Sequence, residues 1–252
     1  RDRYGPIPYK DFAPASNVPF TSQRAIYEQF FSELDEAISI LKKFIKDNPG
    51  AKPLASYDKI YGGNFEKWVK FANSLKLRLA IRIVYADEAL AQQKAEEAIR
   101  DGVFADNEDN AMLKVDGSAA VNPLYMICYT YNDSRLGATM ESYLKGYDDP
   151  RLDIWFAKSE VSEFKEYNGI RCGSIFNGND YKVFSNLNIS SSTPIQFMNA
   201  AEVYFLRAEA ALRGWNAGED AGALYEKGIM TAFSQPLGGT QSKACLLYTS
   251  DA

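Results

Sequence analysis

The sequence stretch "NFEKWVKFANSLKLRLAIRIV" (residues 64–84) decides the fold of this chain. At about 100° per residue, a helix through this stretch carries one wide apolar stripe. The members of this stripe are Trp68, Phe71, Ala72, Leu75, Leu79 and Ile83. The roughly opposite side is also apolar and consists of Val69, Leu77, Ala80, Ile81 and Val84. A surface helix has a single apolar stripe, so a helix that is apolar on two sides is typical of the interior of a stacked helical array.

Two polar residues of this stretch, Asn73 and Arg82, are expected to have structural partners. An unpaired buried amide costs about 1–3 kcal/mol, so Asn73 should bond to backbone or side-chain groups. Arg82 lies at the edge of the tryptophan stripe, which predicts a carboxylate partner, with Glu202 and Glu209 as the candidates. For both residues we favour a structural role over contact with a ligand.

The composition is typical of a globular protein with a sizeable core, because 46% of the 252 residues are hydrophobic and 24% are charged. No apolar run reaches the roughly 18 residues of a membrane-spanning helix. The net charge of −5 argues against a nucleic-acid partner, since binding to phosphates needs a basic surface. The absence of histidine excludes Ser-His-Asp and Cys-His catalysis and HExxH zinc sites.

Helical patterns lie on both sides of a long irregular region. The first predicted helix is capped by Thr21 or Ser22 and ends before Asn48, and another follows the stretch above at about residues 87–100. The remaining predicted helices lie near Leu136 to Leu144, from Pro194 to Gly214, and over about residues 217–233.

These patterns predict a single domain over residues 1–244. Its parts are a helical core at about 21–103 and 194–233 and an irregular insert at about 104–193. Gly, Asn, Asp, Ser and Tyr dominate the insert, and long irregular segments of ordered domains tend to carry function. Residues 245–252 read "CLLYTSDA", and we expect them to be a non-native tail.

Small residues recur at helical spacing in the helices of the predicted core. One pair of helices carries Tyr204, Ala208 and Ala211, then Ala221, Tyr225 and Gly228. An earlier pair carries a similar pattern at Trp68, Ala72 and Leu75, then Ala95, Ile99 and Gly102. Small residues at these offsets let two antiparallel helices approach closely, as in tetratricopeptide hairpins. The prediction is an all-α fold of tetratricopeptide-like helical hairpins with a long, irregular, loop-rich insert.

The insert contains the best candidates for a binding site. A surface that binds small polar ligands combines flat aromatic faces for stacking with planar polar groups for hydrogen bonds. Both kinds are dense in "NPLYMICYTYNDSR" (residues 122–135). The candidate ligand-binding residues are Tyr129, Tyr131, Asn132, Arg135, Trp155 and Tyr181.

Structural alternatives remain open for several of these candidates. "NDSR" is also typical of a helix cap in which Asp133 and Arg135 form an internal ion pair, and we favour this role for both residues. Trp155 is a candidate core residue as well. Further rim or platform aromatics are Tyr167, Phe184 and Trp215.

Acidic residues of the insert do not form a convincing catalytic or metal site. Conceivable glycosidase carboxylates are Asp148 and Asp149, or Asp106, Glu108 and Asp109. Acidic residues beside Gly and Asn in loops are, however, more often turn formers or caps. The run "DNEDN" lacks the spaced ligands and the glycine of an EF-hand loop. We therefore predict no catalytic residue, no metal site and no cofactor.

Several stretches together resemble the SusD/RagB family, the SusD-like nutrient-binding lipoproteins of Bacteroidetes. They cover most of residues 4–233 and read "YGPIPY", "EKWVKFANSLKLRLAIRI", "AEEAIRDGVF", "NDSRLGATMESYLKGYDDPRL", "FMNAAEVYFLRAEAALRGW" and "ALYEKGI". Pro6 and Asn64 depart from the family pattern, which often has an acidic residue at the position of Pro6.

The resemblance implies a helical protein with tetratricopeptide-like hairpins and a less regular part that holds the ligand. It further implies a lipid anchor, outside the present sequence, on the cell surface of the outer membrane. There such proteins cover a SusC-like TonB-dependent transporter and capture oligosaccharides for polysaccharide utilization, without catalysis. The partners expected from the resemblance are thus an oligosaccharide and that transporter.

Two other functions stay open. One is capture of peptides by a SusD/RagB-type protein. The other is a generic tetratricopeptide adaptor, whose protein ligand would contact the repeat helices and leave the insert dispensable. In a glycan binder, aromatic residues of the insert would instead lie together on one exposed surface.

Overall fold

The structure is a computed structural model that describes residues 4–9, 18–161, 163, 166–175, 177 and 180–235. The chain divides into two compact units, called here unit 1 (Arg1–Phe104 and Phe205–Leu224) and unit 2 (Ala105–Tyr204 and Tyr225–Ala252). In the described part of the chain, no helix has the length and apolar character needed to cross a membrane. The domain bounds predicted from the sequence stay a prediction, and the tail at 245–252 lies outside the described residues.

Three long helices begin in unit 1 at caps that are visible in the sequence. They are α1 (Gln23–Asp47), α2 (Phe65–Arg82) and α3 (Glu88–Asp101). The Ser22 Oγ accepts a hydrogen bond from the Ala25 amide at 3.3 Å, and Asn64 and Asp87 cap α2 and α3 in the same way. Each cap satisfies an amide that has no partner within the helix. The predicted helices are confirmed.

Helix α2 packs against both α1 and α3. Its second apolar side is buried, with exposed fractions of at most 8% at Val69, Leu77, Ala80, Ile81 and Val84. On the tryptophan stripe, Ala72 and Ile83 are buried. Trp68, Phe71, Leu75 and Leu79 are half-buried. The predicted interior position is therefore confirmed fully for one side of α2 and partly for the other.

The polar residues of α2 fix it to its neighbours. The Asn73 Nδ2 donates to the carbonyl oxygens of Asp101 and Gly102, at 3.2 and 2.9 Å. These carbonyls lie at the C-terminal end of α3, where backbone acceptors lack partners within the helix. The predicted structural role of Asn73 is therefore confirmed for its nitrogen, whereas its buried Oδ1 has no hydrogen-bond partner among the described residues.

Lys76 belongs to a network of four charges, which we call the three-helix charge network. Its Nζ lies 2.6 Å from Asp35 Oδ1 on α1 and 3.0 Å from Glu97 Oε2 on α3. Lys94 contacts the same two carboxylates at 2.8 and 3.2 Å. Since Lys76 is only 5% exposed, both carboxylates are needed to offset the cost of burying its charge.

The predicted carboxylate partner of Arg82 is wrong. Arg82 is exposed, and it forms no ion pair with any residue that the structure describes. One candidate, Glu209, instead pairs with Arg213 at 2.7 Å. Arg82 lies in the last turn of α2, where a cation is stabilised by the helix dipole without a carboxylate.

Unit 2 contains a two-stranded antiparallel sheet formed by β1 (Ala111–Leu113) and β2 (Ile195–Met198). The predicted start of a helix at Pro194 is therefore wrong. Residues 195–198 are extended, and α7 (Ala200–Leu212) begins after Asn199, whose Oδ1 accepts from the Glu202 amide at 2.8 Å. Asn199 is a stronger start signal than Pro194, because its side chain satisfies an open helix amide.

The rest of unit 2 is short helices and loops around a small core. Helix α4 (Pro123–Tyr125) runs into a π-helical turn at Met126–Thr130, and α5 (Ala138–Gly146) and α6 (Arg151–Trp155) follow. Their core consists of Leu136, Leu144, Leu152 and Phe156. A 3₁₀ turn lies at Asp180–Val183, and the last helix is α8 (Ala221–Phe233). The predicted fold class, helical with a long irregular insert, is confirmed. The close packing of α7 against α8 stays a prediction.

Candidate ligand-binding surface

The helical segment from Asn122 to Tyr131 presents the densest group of predicted site residues. The Asn122 Oδ1 accepts from the Leu124 amide at 2.8 Å, and Pro123 occupies the first helical position. The helix then widens into the π-helical turn. Such turns are rare in proteins, and many of those that occur lie at functional sites.

One side of this segment faces the interior of unit 2. Cys128 is buried, and burial raises the pKa of its thiol. The rings of Tyr125 and Tyr129 stack with centroids 4.9 Å apart. The Tyr129 hydroxyl donates to the Leu187 carbonyl, and burial raises the pKa of Tyr129. Tyr129 thus packs inward, with its hydroxyl already bonded.

The solvent-exposed side of this segment carries Leu124, Ile127 and Tyr131. Their exposed fractions are 53%, 39% and 62%. The Tyr131 side chain forms no hydrogen bond or ring contact with a described residue. Among the predicted site residues, Tyr131 is therefore the one whose aromatic face is open to a ligand.

Arg135 ties the end of this segment to the 3₁₀ turn. Its guanidinium donates to Asn132 Oδ1 at 3.1 Å, to the Cys128 carbonyl at 3.2 Å and to the Tyr181 carbonyl at 3.2 Å. Asn132 has a φ of +56°, in the left-handed region that Asn tolerates. The expected ion pair between Asp133 and Arg135 is wrong, since no such pair forms within the described residues. Arg135 is a structural clamp that holds the loop after Tyr131.

Trp155 packs as a core residue. It is half-buried against the Leu136 cluster. The Arg151 guanidinium lies 5.0 Å from its ring centroid and 4.4 Å from that of Phe233. Arg151 also binds both carboxylate oxygens of Asp149, which is buried. The core alternative for Trp155 matches this packing, and the Asp149 carboxylate is occupied.

Other predicted aromatics are less open than Tyr131. Tyr181 is half-buried and contributes its backbone carbonyl to the Arg135 clamp. Tyr167 packs against the Leu136 cluster; burial, together with a hydrogen bond to Asp153, raises its pKa. Trp215 is 6% exposed, so the alternative of a platform at this position is wrong.

A second exposed aromatic group lies on α5 and was missed in the sequence. The rings of Tyr143 and Tyr147, here called the α5 tyrosine pair, are 12° from parallel with centroids 6.4 Å apart. They are 61% and 54% exposed, beside Met140 at 46%. The signal is present in "MESYLKGY", because residues four apart share one face of a helix.

Helix α5 holds this pair in a fixed position. Leu144, the residue next to Tyr143, is buried in the Leu136 cluster. The Glu141 carboxylate accepts a hydrogen bond from the Gly169 amide at 2.7 Å and pairs with Lys145 at 2.7 Å. An exposed ring on an anchored helix loses little conformational freedom when a ligand stacks on it.

The sequence profile of a family described as "SusD-like: Susd and RagB outer membrane lipoprotein" matches residues 1–243. The chain belongs to the SusD-like family. None of the curated proteins compared with this SusD-like chain matches it.

Solved structures of SusD homologues are similar over nearly the whole chain. A chitin-binding SusD homologue from Flavobacterium johnsoniae is 41% identical, with a TM-score of 0.86 and coverage of 96% of this chain and 50% of its own. A SusD-like protein from Bacteroides thetaiotaomicron is 36% identical, with a TM-score of 0.87 and coverage of 95% and 50%. A homologue from Bacteroides vulgatus is 34% identical, with a TM-score of 0.82 and coverage of 96% and 50%. This SusD-like chain thus spans about half the length of these relatives.

Proposed function

We propose that this chain is part of a cell-surface protein that binds oligosaccharides without transforming them and delivers them to a SusC-like TonB-dependent transporter. The observation that carries the proposal is a set of exposed tyrosine rings on anchored backbone in unit 2. They are Tyr131 and the α5 tyrosine pair, with exposed fractions of 54–62%. Membership of the SusD-like family and the chitin-binding relative point in the same direction.

The chemistry of these residues suits a sugar. A pyranose ring presents a flat C–H face that stacks on an aromatic ring, and its hydroxyls need polar partners. Beside Tyr131, the side chains of Asn132, Asp133 and Ser134 are exposed. They supply both donors and acceptors at the edge of the ring. The loop that carries them is held by Arg135, so it is in place before a ligand arrives.

One candidate carboxylate pair of unit 2 is unsuited to catalysis. Glycoside hydrolysis needs two free carboxyl groups on either side of the bond. The Asp149 carboxylate is buried and bound by Arg151, which leaves Asp148 without its proposed partner. The outer-membrane location, the lipid anchor and the transporter are proposed from the family description.

The test is calorimetric titration of the full-length protein with a panel of oligosaccharides and peptides, starting with chitin oligosaccharides. We expect at least one oligosaccharide to bind. Replacing Tyr131 by Ala should weaken the affinity for this oligosaccharide about five- to tenfold, which corresponds to roughly 1 kcal/mol for one stacked ring.

Tyr57→Ala is the matched control, because Tyr57 is 80% exposed but lies in unit 1. It should leave affinity unchanged. If peptides bind and no glycan of the panel binds detectably, the proposal is overturned in favour of peptide capture. If wild type and Tyr131→Ala bind the oligosaccharide with equal affinity, Tyr131 does not contact the ligand.

A further inference from the structure

Unit 1 contains a cavity of about 260 Å³ whose lining residues all belong to unit 1. It lies where the first turn of α1, the end of α2 and the start of α3 meet. The residues that matter for its chemistry are Arg24, Tyr27, Glu28, Arg82, Asp87 and Leu90. We propose that this cavity binds the carboxylate-bearing end of a small polar molecule, of the size of one acidic sugar or one amino acid.

Arg82 supplies the charge that selects such a ligand. Its guanidinium is exposed at the cavity and is unpaired with respect to all residues that the structure describes. By contrast, Lys76, on the same helix, has two carboxylate partners. A guanidinium with free donors binds a carboxylate through two parallel hydrogen bonds, which is its strongest common interaction.

The two carboxylates of the cavity do not cancel this preference, because both are held by Arg24. Arg24 Nε lies 2.9 Å from Glu28 Oε1, and Arg24 Nη2 lies 3.0 Å from Asp87 Oδ2. The other oxygen of Asp87 caps α3 by accepting from the Leu90 amide at 3.1 Å. The two arginines and the two carboxylates of the cavity sum to zero charge, and Arg82 is the one of the four that has no ion-pair partner among the described residues.

The same carboxylates add a second recognition element. A carboxylate oxygen accepts more than one hydrogen bond, so Glu28 and Asp87 can still bind hydroxyl or ammonium donors of a ligand. Tyr27 and Ile83 are buried and Leu90 is half-buried, and they form an apolar wall. The cavity therefore suits a compact group with one carboxylate and several donors on a partly apolar body.

The backbone around the cavity favours an anion on balance. The positive ends of α1 and α3 both lie at the cavity, since it is lined by Gln23 and Asp87, and the negative end of α2 lies there with Ile83. Arg82, in the last turn of α2, offsets that negative end. The volume is below the roughly 300–1,000 Å³ of pockets for drug-sized ligands, which limits the ligand to one sugar or amino-acid unit.

The test is titration of the full-length protein with D-glucuronate, L-glutamate and D-glucose, followed by ligand-observed NMR. Glucuronate and glutamate each carry a carboxylate and hydrogen-bond donors. Glucose has the same ring as glucuronate but no carboxylate, so it is the neutral control. We expect at least one of the acids to bind and glucose to leave the cavity empty. Arg82→Gln should weaken the bound acid about tenfold, the loss expected for a bidentate charged hydrogen bond.

Arg82→Lys keeps the charge without the planar fork, and we expect it to fall between wild type and Arg82→Gln. Arg100→Gln is the control, because the Arg100 side chain is 71% exposed and outside the cavity. The proposal is overturned if neither acid binds the wild type. It is also overturned if Arg82→Gln binds the acid with wild-type affinity and has an unchanged unfolding temperature. Tyr131→Ala, in unit 2, should leave the affinity for the acid unchanged. The test of this cavity is therefore independent of the test of the proposed glycan site.

Discussion

At the scale of single residues, Asn73 shows how a buried amide holds two helices together. Its Nδ2 bonds to the last carbonyls of α3. We expect Asn73→Ala to lower the free energy of unfolding by about 1–3 kcal/mol, because these carbonyls lose their donor inside the protein. Urea unfolding of wild type and variant measures the difference. A change below about 0.5 kcal/mol, the range of surface substitutions, would show that the two bonds contribute nothing.

The same scale shows what the sequence could and could not predict. The burial of Asn73 followed from its position between two apolar sides of one helix, which is local information. The partner of Arg82 could not be derived, because choosing a carboxylate needs the tertiary structure. The partners of Arg135 could not be derived either, although its structural role was predicted. They are mainly backbone carbonyls, which no pattern of side chains reveals.

At the scale of elements, the three-helix charge network makes unit 1 sensitive to acid. Burial raises the pKa of Glu97, but the hydrogen bonds from Gln93, Lys76 and Lys94 outweigh it and lower the pKa from 4.5 to about 2. A carboxyl whose pKa is lowered on folding stabilises the protein above its unfolded pKa. This stabilisation, on the order of 2 kcal/mol, should disappear as the pH falls from about 5 to 2.

Lys76→Met tests this network. Removing one lysine leaves two carboxylates with a single partner, so we expect a loss of about 3 kcal/mol at pH 7 and a weaker dependence on pH below 5. Lys43→Met is the control, because the Lys43 side chain is 77% exposed in a surface pair with Asp47. It should change the unfolding free energy by less than about 0.5 kcal/mol. Equal urea midpoints for both variants would contradict a structural role for the network.

The α5 tyrosine pair is also a property of one element. If a sugar stacks on it, Tyr143→Ala and Tyr147→Ala should each weaken oligosaccharide binding about threefold or more. Neither variant should change stability much, since both rings are more than half exposed. Calorimetric titration and thermal unfolding measure the two effects. Unchanged affinity in the double variant would exclude the pair from the binding surface.

Local signals predicted the elements well where the cause was local. Ser22, one of the two predicted caps, begins α1, and α3 begins after Asp87, close to the predicted start at about residue 87. Strand β2 was missed because its hydrogen-bond partner, β1, lies far away along the chain and no local pattern marks the pairing. The α5 tyrosine pair was visible as a spacing but could be judged exposed only from the packing of Leu144.

At the scale of the whole molecule, membership of the SusD-like family and the exposed tyrosines of unit 2 lead to one account. Unit 1 is built on long helices whose polar residues serve mainly to hold them together. Unit 2 presents aromatic rings on short anchored elements. A tetratricopeptide adaptor would use the surface of α1 to α3 instead, so the two functions differ in where the ligand lies.

Hydrogen exchange of the full-length protein distinguishes these locations most directly. The measurement compares amide exchange with and without the oligosaccharide that binds most tightly in the panel. We predict slower exchange in residues 123–135 and 138–147, with no change in α1, α2 and α3. Protection confined to α1, α2 and α3, with unchanged exchange around Tyr131 and the α5 tyrosine pair, would contradict the account.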